Sequence, residues 1–159
     1  MDRERFQPLY DAPAHLVRRL LQVTSAIYEE EGAPHGLTHA QYAVLRVIEL
    51  SPGMEQREIA LAARHDAVTT GKIVQKLEAL GLVRRDKGQR SRRGQAVVLT
   101  EAGVAKLAAM NPAIARVQER LMEVFPPEER ENVLRVLSRL ARAENRYNAP
   151  PRTAATGDK

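Results

Sequence analysis

Apolar residues recur along this chain at helical spacing, and the places where the rhythm breaks divide it into successive elements. Leu16, Leu20, Val23 and Ile27 fall at i, i+4, i+7 and i+11, predicting a helix from Pro13 to Glu31 that Gly32-Ala33-Pro34 ends. The next helix starts behind a capping signature. Thr38 can accept from the free amides, Gln41 can complete a capping box, and Leu37 can staple onto Tyr42. This helix runs to Leu50, where Ser51-Pro52-Gly53 turns the chain. A short helix over 55–64 carries Ile59 among alanines that let a neighbouring helix approach closely. Asp66 is the predicted N-cap of a fourth helix with Ile73, Leu77 and Leu80 inward, and Gly81 suits the left-handed position that stops it.

The period then changes. Leu82-Val83 and Gln95-Ala96-Val97-Val98-Leu99 read as two strands, with Gly88 and Gly94 as turn-compatible positions between them. Thr100 caps a further helix whose Leu107, Met110, Ile114, Val117, Leu121 and Val124 form a heptad seam. Pro112 lies inside it and removes one backbone hydrogen bond, but the seam keeps its phase on both sides, which predicts a kink rather than two helices. After Phe125-Pro126-Pro127, Glu128 and Glu129 suit a helix start, and Leu134, Leu137, Leu140 and Ala141 line a final helix. From Ala149 onward the composition predicts a disordered tail.

The fold class is therefore mainly α with a small β-hairpin wing. It is a winged helix-turn-helix with N- and C-terminal dimerisation helices. The expected divisions are 1–36 for the N-terminal dimerisation helix, 37–100 for the DNA-binding domain, 101–148 for the C-terminal dimerisation helices and 149–159 for the tail.

Charge gives this outline a function. Residues 84–93 hold Arg84, Arg85, Lys87, Arg90, Arg92 and Arg93 against Asp86 alone, which accounts for the whole formal net charge of +5. Guanidinium forks on a projecting hairpin suit phosphate oxygens or a narrow minor groove, although a basic run of this length also suits a merely solvated loop. On the fourth helix, Val68, Gly71, Lys72 and Gln75 point away from the core at 100° per residue. A phosphate-seeking lysine, an amide able to read adenine, and valine and threonine methyls able to touch thymine make a reading face for a major groove. The alternative is an ordinary solvated helix face.

Composition narrows the rest. With 43% apolar residues the chain should fold, and with no cysteine it has no disulfide framework, thiol nucleophile or cysteine-based zinc site. No apolar run approaches a membrane span, and the charged start carries no leader signature, so a cytoplasmic location and no membrane partner are expected. His35 and His39 are separated by a helix boundary and do not share a face, so no metal site is expected, and no cofactor. The chain has neither a phosphate-cradling glycine loop nor a nucleophile elbow, and it is not expected to be an enzyme. The helices outside the winged unit carry apolar stripes that a second copy would cover, giving a homodimer and a roughly palindromic double-stranded DNA target. An intramolecular bundle of those helices is the alternative. An effector-independent architectural or RNA-associated winged-helix protein, or a helical module whose hairpin meets an acidic partner, would also account for the basic hairpin.

The ordered set Leu37-Thr38-His39-Ala40-Gln41, Asp66-Ala67-Val68-Thr69-Thr70, Leu77-Glu78-Ala79-Leu80-Gly81-Leu82-Val83-Arg84-Arg85, Arg92-Arg93 and Leu99-Thr100-Glu101-Ala102-Gly103 resembles the MarR family of bacterial transcriptional regulators. The resemblance covers residues 13–147. It implies an obligate homodimer, usually a repressor, released from DNA by a ligand bound between its DNA-binding and dimerising regions. By position it implies DNA contacts at Ala67, Val68, Thr69, Lys72, Gln75 and Lys76, and wing arginines at Arg92 and Arg93. Arg90 would add phosphate affinity, and Thr38 and Arg57 are further phosphate contacts. Relatives commonly carry an aspartate before the arginine pair where this chain has Ser91, so the charge-assisted brace of the wing is missing. Asp66-x-x-Thr69-Thr70-Gly71 and Leu16-Val17-Arg18-Arg19 are similar to relatives that control aromatic-compound catabolism. That implies a small anionic effector, an aromatic acid or an aromatic acyl-coenzyme A. Arg18 or Arg19 would pair its charge, with His15, His39, Tyr42 and Arg46 nearby.

Overall fold

The computed structural model describes residues 4–87 and 95–142. The turn positions Gly88 and Gly94 and the tail expected from Ala149 lie outside the described residues. A 3-10 turn, Glu4–Phe6, and a one-turn helix α1, Gln7–Tyr10, precede the long helix α2, Pro13–Glu31. Periodicity does not reveal the turn or α1, because one helical turn is too short to show a period. Then follow α3, His39–Leu50; α4, Gln56–Ala63; α5, Ala67–Ala79; strands β1, Val83–Lys87, and β2, Gln95–Leu99; α6, Glu101–Met122; and α7, Pro127–Arg142. The chain is mainly helical with a small two-stranded hairpin, the fold class read from the sequence. No helix among the described residues is long and apolar enough to cross a membrane.

The caps form at the predicted residues. Thr38 Oγ1 accepts from Gln41 N at 3.2 Å while Gln41 Oε1 accepts from Thr38 N at 2.9 Å, closing the capping box of α3. Asp66 Oδ1 accepts from Thr69 N at 2.8 Å, and Thr100 Oγ1 accepts from Gly103 N at 3.1 Å. Gly81 stops α5 with φ of 70°.

One core joins these elements. Val44, Leu45 and Ile48 of α3, Ile59 of α4, Val74 and Leu77 of α5, Val83 and Val97 of the hairpin, and Leu107 and Met110 of α6 are buried together. The hairpin is antiparallel, pairing Val83 with Leu99 and Lys87 with Gln95. Its second strand is tied to the helix pair, since Val97 N donates to Met54 O at 3.0 Å and Glu55 bridges to Ala96. The wing therefore leaves the lobe at an angle set by backbone pairing.

Two predicted core positions are corrected. Leu80 is 47% exposed, and α5 instead buries Thr70, Val74 and Leu77, with Ile73 half-buried at the edge of that stripe. The chain turns at Gly81, and Leu82 and Val83 enter the core in the place expected for Leu80. Val124 is 74% exposed, because α6 ends at Met122 and the seam ends with it. Up to that point the heptad reading holds. Leu107, Met110 and Val117 are buried, Ile114 and Leu121 pack against them, and α6 continues through Pro112 as one helix.

Candidate nucleic-acid interface

Helix α5 lies with one face in the core and the other open. Ala67, Val68, Thr69, Lys72, Gln75 and Lys76 are all exposed, with Val68 at 69%. At 100° per residue, Val68, Lys72 and Gln75 form the centre of that stripe and Ala67, Thr69 and Lys76 its flanks. Thr69 also serves the cap. Its Oγ1 donates to Asp66 Oδ2 at 2.6 Å, so its hydroxyl is engaged and its methyl remains for contact. The two hydrogen bonds from Thr69 hold the Asp66 carboxyl below the usual carboxylate range. Buried Thr70 donates its hydroxyl back to Asp66 O at 2.9 Å, satisfying a polar atom in the core beneath the stripe.

Thr38 and Arg57 are exposed at the starts of α3 and α4. Arg84 pairs with Asp86 on the open side of β1, so part of the hairpin's charge is neutralised locally. Arg90, Arg92 and Arg93, together with Ser91, lie outside the described residues.

Sequence reasoning missed Gln56 beside the stripe and counted Arg85 only as part of the basic run. Arg85, on β1, donates through Nε to Glu78 Oε2 and through Nη2 to Gln56 Oε1, both at 3.2 Å. Hairpin, α5 and α4 thus meet at one guanidinium. A concavity of about 280 Å³ lies there, lined by Gln56, Ala67, Val68, Gly71, Lys72, Gln75 and Arg85. The charged groups in this lining, Lys72 and Arg85, are both cationic, which suits an anion or an electronegative groove edge.

A second concavity, about 350 Å³, lies where the end of α2 meets the start of α3, between Ser25, Tyr28, Glu29, Leu37, Thr38, His39 and Gln41. Tyr28 donates its hydroxyl to Leu37 O at 3.0 Å, and burial pushes its pKa up to about 12. Its ring lies 5.1 Å from that of His39. Partial burial, and then the neighbouring His65, lower the His39 pKa.

Of the effector residues named from the sequence, His39 alone lines this concavity. His15 stands 5.7 Å from the Tyr10 ring, and Arg46 pairs with Glu49. Arg18 and Arg19 are exposed on the first half of α2. Arg19 is nine residues before Tyr28, about 14 Å along the helix.

An ionic clasp joins α2 and α6. Glu31 accepts from Arg116 at 2.7 Å and from Arg120 at 2.9 Å, and Arg120 also pairs with Glu30 at 2.7 Å. These hydrogen bonds, first from Arg116 and then from Arg120, lower the Glu31 pKa. They fasten the end of α2 to the C-terminal turns of α6.

Comparison with known proteins agrees with this geometry. The MarR family model matches residues 35–94, from the approach to α3 into the hairpin. The transcriptional regulator HosA of Escherichia coli O127:H6 is 33% identical over 126 residues, which cover 79% of this chain and 92% of HosA. The transcriptional repressor CouR, solved bound to a 23-mer DNA duplex, superposes with a TM-score of 0.80 at 28% identity, covering 86% of this chain and 97% of that one. A MarR family protein of Mycobacterium tuberculosis, solved with salicylic acid, superposes with a TM-score of 0.66 at 26% identity, covering 82% and 97%.

Proposed function

The chain belongs to the MarR family of transcriptional regulators and is not an enzyme, and from that premise we propose that it is a homodimeric repressor released from its operator by a small anionic aromatic effector. The observation that carries this reading is the exposed stripe of Val68, Lys72 and Gln75 on a helix whose opposite face is fully buried. Such a helix can enter a major groove without unfolding its lobe. Lys72 meets phosphate, Gln75 can present a donor and an acceptor to adenine, and Val68 can meet a thymine methyl. Arg92 and Arg93 extend the contact to the minor groove, where a fork of donors is favoured. Two such lobes joined by α2, α6 and α7 read a palindrome with half-sites about one helical turn apart.

Salicylic acid in the M. tuberculosis relative supports an aromatic acid, or its coenzyme A thioester, as the effector class. Arg18 and Arg19 supply exposed guanidinium groups for its charge, while His39 and Tyr42 stand at the start of α3. Release follows from linkage. A ligand that prefers a lobe spacing incompatible with DNA lowers DNA affinity by the ratio of its affinities for the two states.

Titrating the protein against duplex from its gene's own upstream region, and against a scrambled duplex, tests the first part. Tighter binding to the upstream duplex is expected, and equal affinity rejects the reading in favour of a sequence-independent architectural role. A thermal-shift screen of aromatic acids and their coenzyme A thioesters tests the second part. A hit must also weaken operator binding.

A further inference from the structure

The concavity between α4, α5 and β1 joins three residues that the reading face alone does not require. Gln56 is the first residue of α4, the helix before the recognition helix, and its Oε1 accepts from Arg85 Nη2 at 3.2 Å. With that oxygen turned toward β1, the end of the amide beside Gly71 is its NH2 group, a donor. Arg85 is itself held by Glu78 at 3.2 Å, so the amide is oriented from behind by a fixed pair. Gly71 makes room for it. A Cβ at position 71 would stand 3.0 Å from Gln56 Nε2, so any larger residue there would press on the amide.

We infer that Gln56 is a DNA-contacting residue supplied from outside the recognition helix, donating its amide to an acceptor seated beside Lys72 and Gln75. Arg85 is its positioning residue and Gly71 its clearance. The inference rests on the proposed operator-binding function. The acceptor is an electronegative oxygen or nitrogen of the duplex, either a phosphate oxygen or the N7, O6 or O4 of a base edge. An amide whose oxygen is turned toward Arg85 is not oriented for the two-point adenine contact open to Gln75. The two glutamines therefore read different chemistry.

The experiment measures affinity of the full-length protein for its own upstream duplex, a panel of single-base variants and a scrambled duplex. Gln56→Ala should weaken operator binding about two- to tenfold per half-site, the range for one neutral hydrogen bond, without lowering the melting temperature. Arg85→Met should cause a similar loss, and the double variant should lose no more than the worse single one, because both remove the same contact. Gly71→Ala should also weaken binding while raising the melting temperature, since alanine favours helix and only the tip of a flexible side chain must yield. A loss spread evenly over all duplexes identifies phosphate as the acceptor, and a loss confined to one position identifies a base edge. Unchanged binding by Gln56→Ala, or losses that multiply in the double variant, would overturn the inference while leaving the operator reading intact. A wild-type protein that does not distinguish its upstream duplex from the scrambled one overturns both.

Discussion

In the winged lobe Val44, Leu45, Ile48, Ile59, Val74 and Leu77 are at most 1% exposed, whereas in α7 Leu134, Val136, Leu137 and Leu140 are 40% to 58% exposed. The first half of α2 resembles α7 in this, with Leu16, Val17, Leu20 and Leu21 at 46% to 66%. The lobe completes its core within one chain, and the terminal helices do not. Helices with apolar faces of this extent are stabilised by covering them, each half-exposed leucine contributing on the order of 1 kcal/mol when buried. The difference gives the two regions separate roles. In the proposed dimer the lobe holds a reading surface rigidly, and the terminal helices join it to a second one.

Breaking the terminal face should have the largest effect. Leu137→Asp should separate the proposed dimer and reduce operator affinity by about 10²–10⁴-fold, the gain from linking two binding modules. Light scattering and a DNA titration check this. Within the lobe, Leu77→Ala should cost about 2–5 kcal/mol of stability through the cavity it leaves, read by denaturant unfolding. Its dimer mass should not change. Gln75→Ala acts on neither core nor pairing and should cost roughly 1–3 kcal/mol of discrimination at one base position. Arg92→Ala and Arg93→Ala should each flatten the plot of log affinity against log salt by about one unit, and an unchanged slope would remove that arginine from the phosphate contacts. The smallest effect concerns Asp66. Because its pKa is lowered in the folded state, its cap contributes above the usual carboxylate range and is lost as pH falls through the lowered value. Asp66→Asn, which keeps an acceptor but cannot titrate, should flatten the acid limb of a stability-against-pH curve.

The same contrast explains what was legible in the sequence. Local signals were legible, and Thr38, Asp66 and Thr100 cap as expected, because a cap is set by residues three positions apart. The stripe of α5 was also legible, since Lys72 and Gln75 follow from helical geometry. Leu80 was misassigned because periodicity alone does not register that Gly81 redirects the chain and lets Leu82 fill the core. The contact of Gln56 with Arg85 escaped notice for a different reason. The two meet across 29 residues of sequence, and neither belongs to a pattern that names its partner. The effector residues were carried by resemblance, and that His39 lines a concavity between the end of α2 and the start of α3 could be seen only once the helices were arranged.

Two rigid reading lobes held at a fixed spacing by their terminal helices must meet half-sites on the same side of the duplex. Inserting about five base pairs, half a turn, between the operator half-sites and measuring affinity puts that requirement to proof. Affinity should fall to that for a duplex carrying a single half-site, because the second lobe then faces the wrong side of the DNA. Binding as tight as to the original operator would contradict a fixed spacing between the lobes.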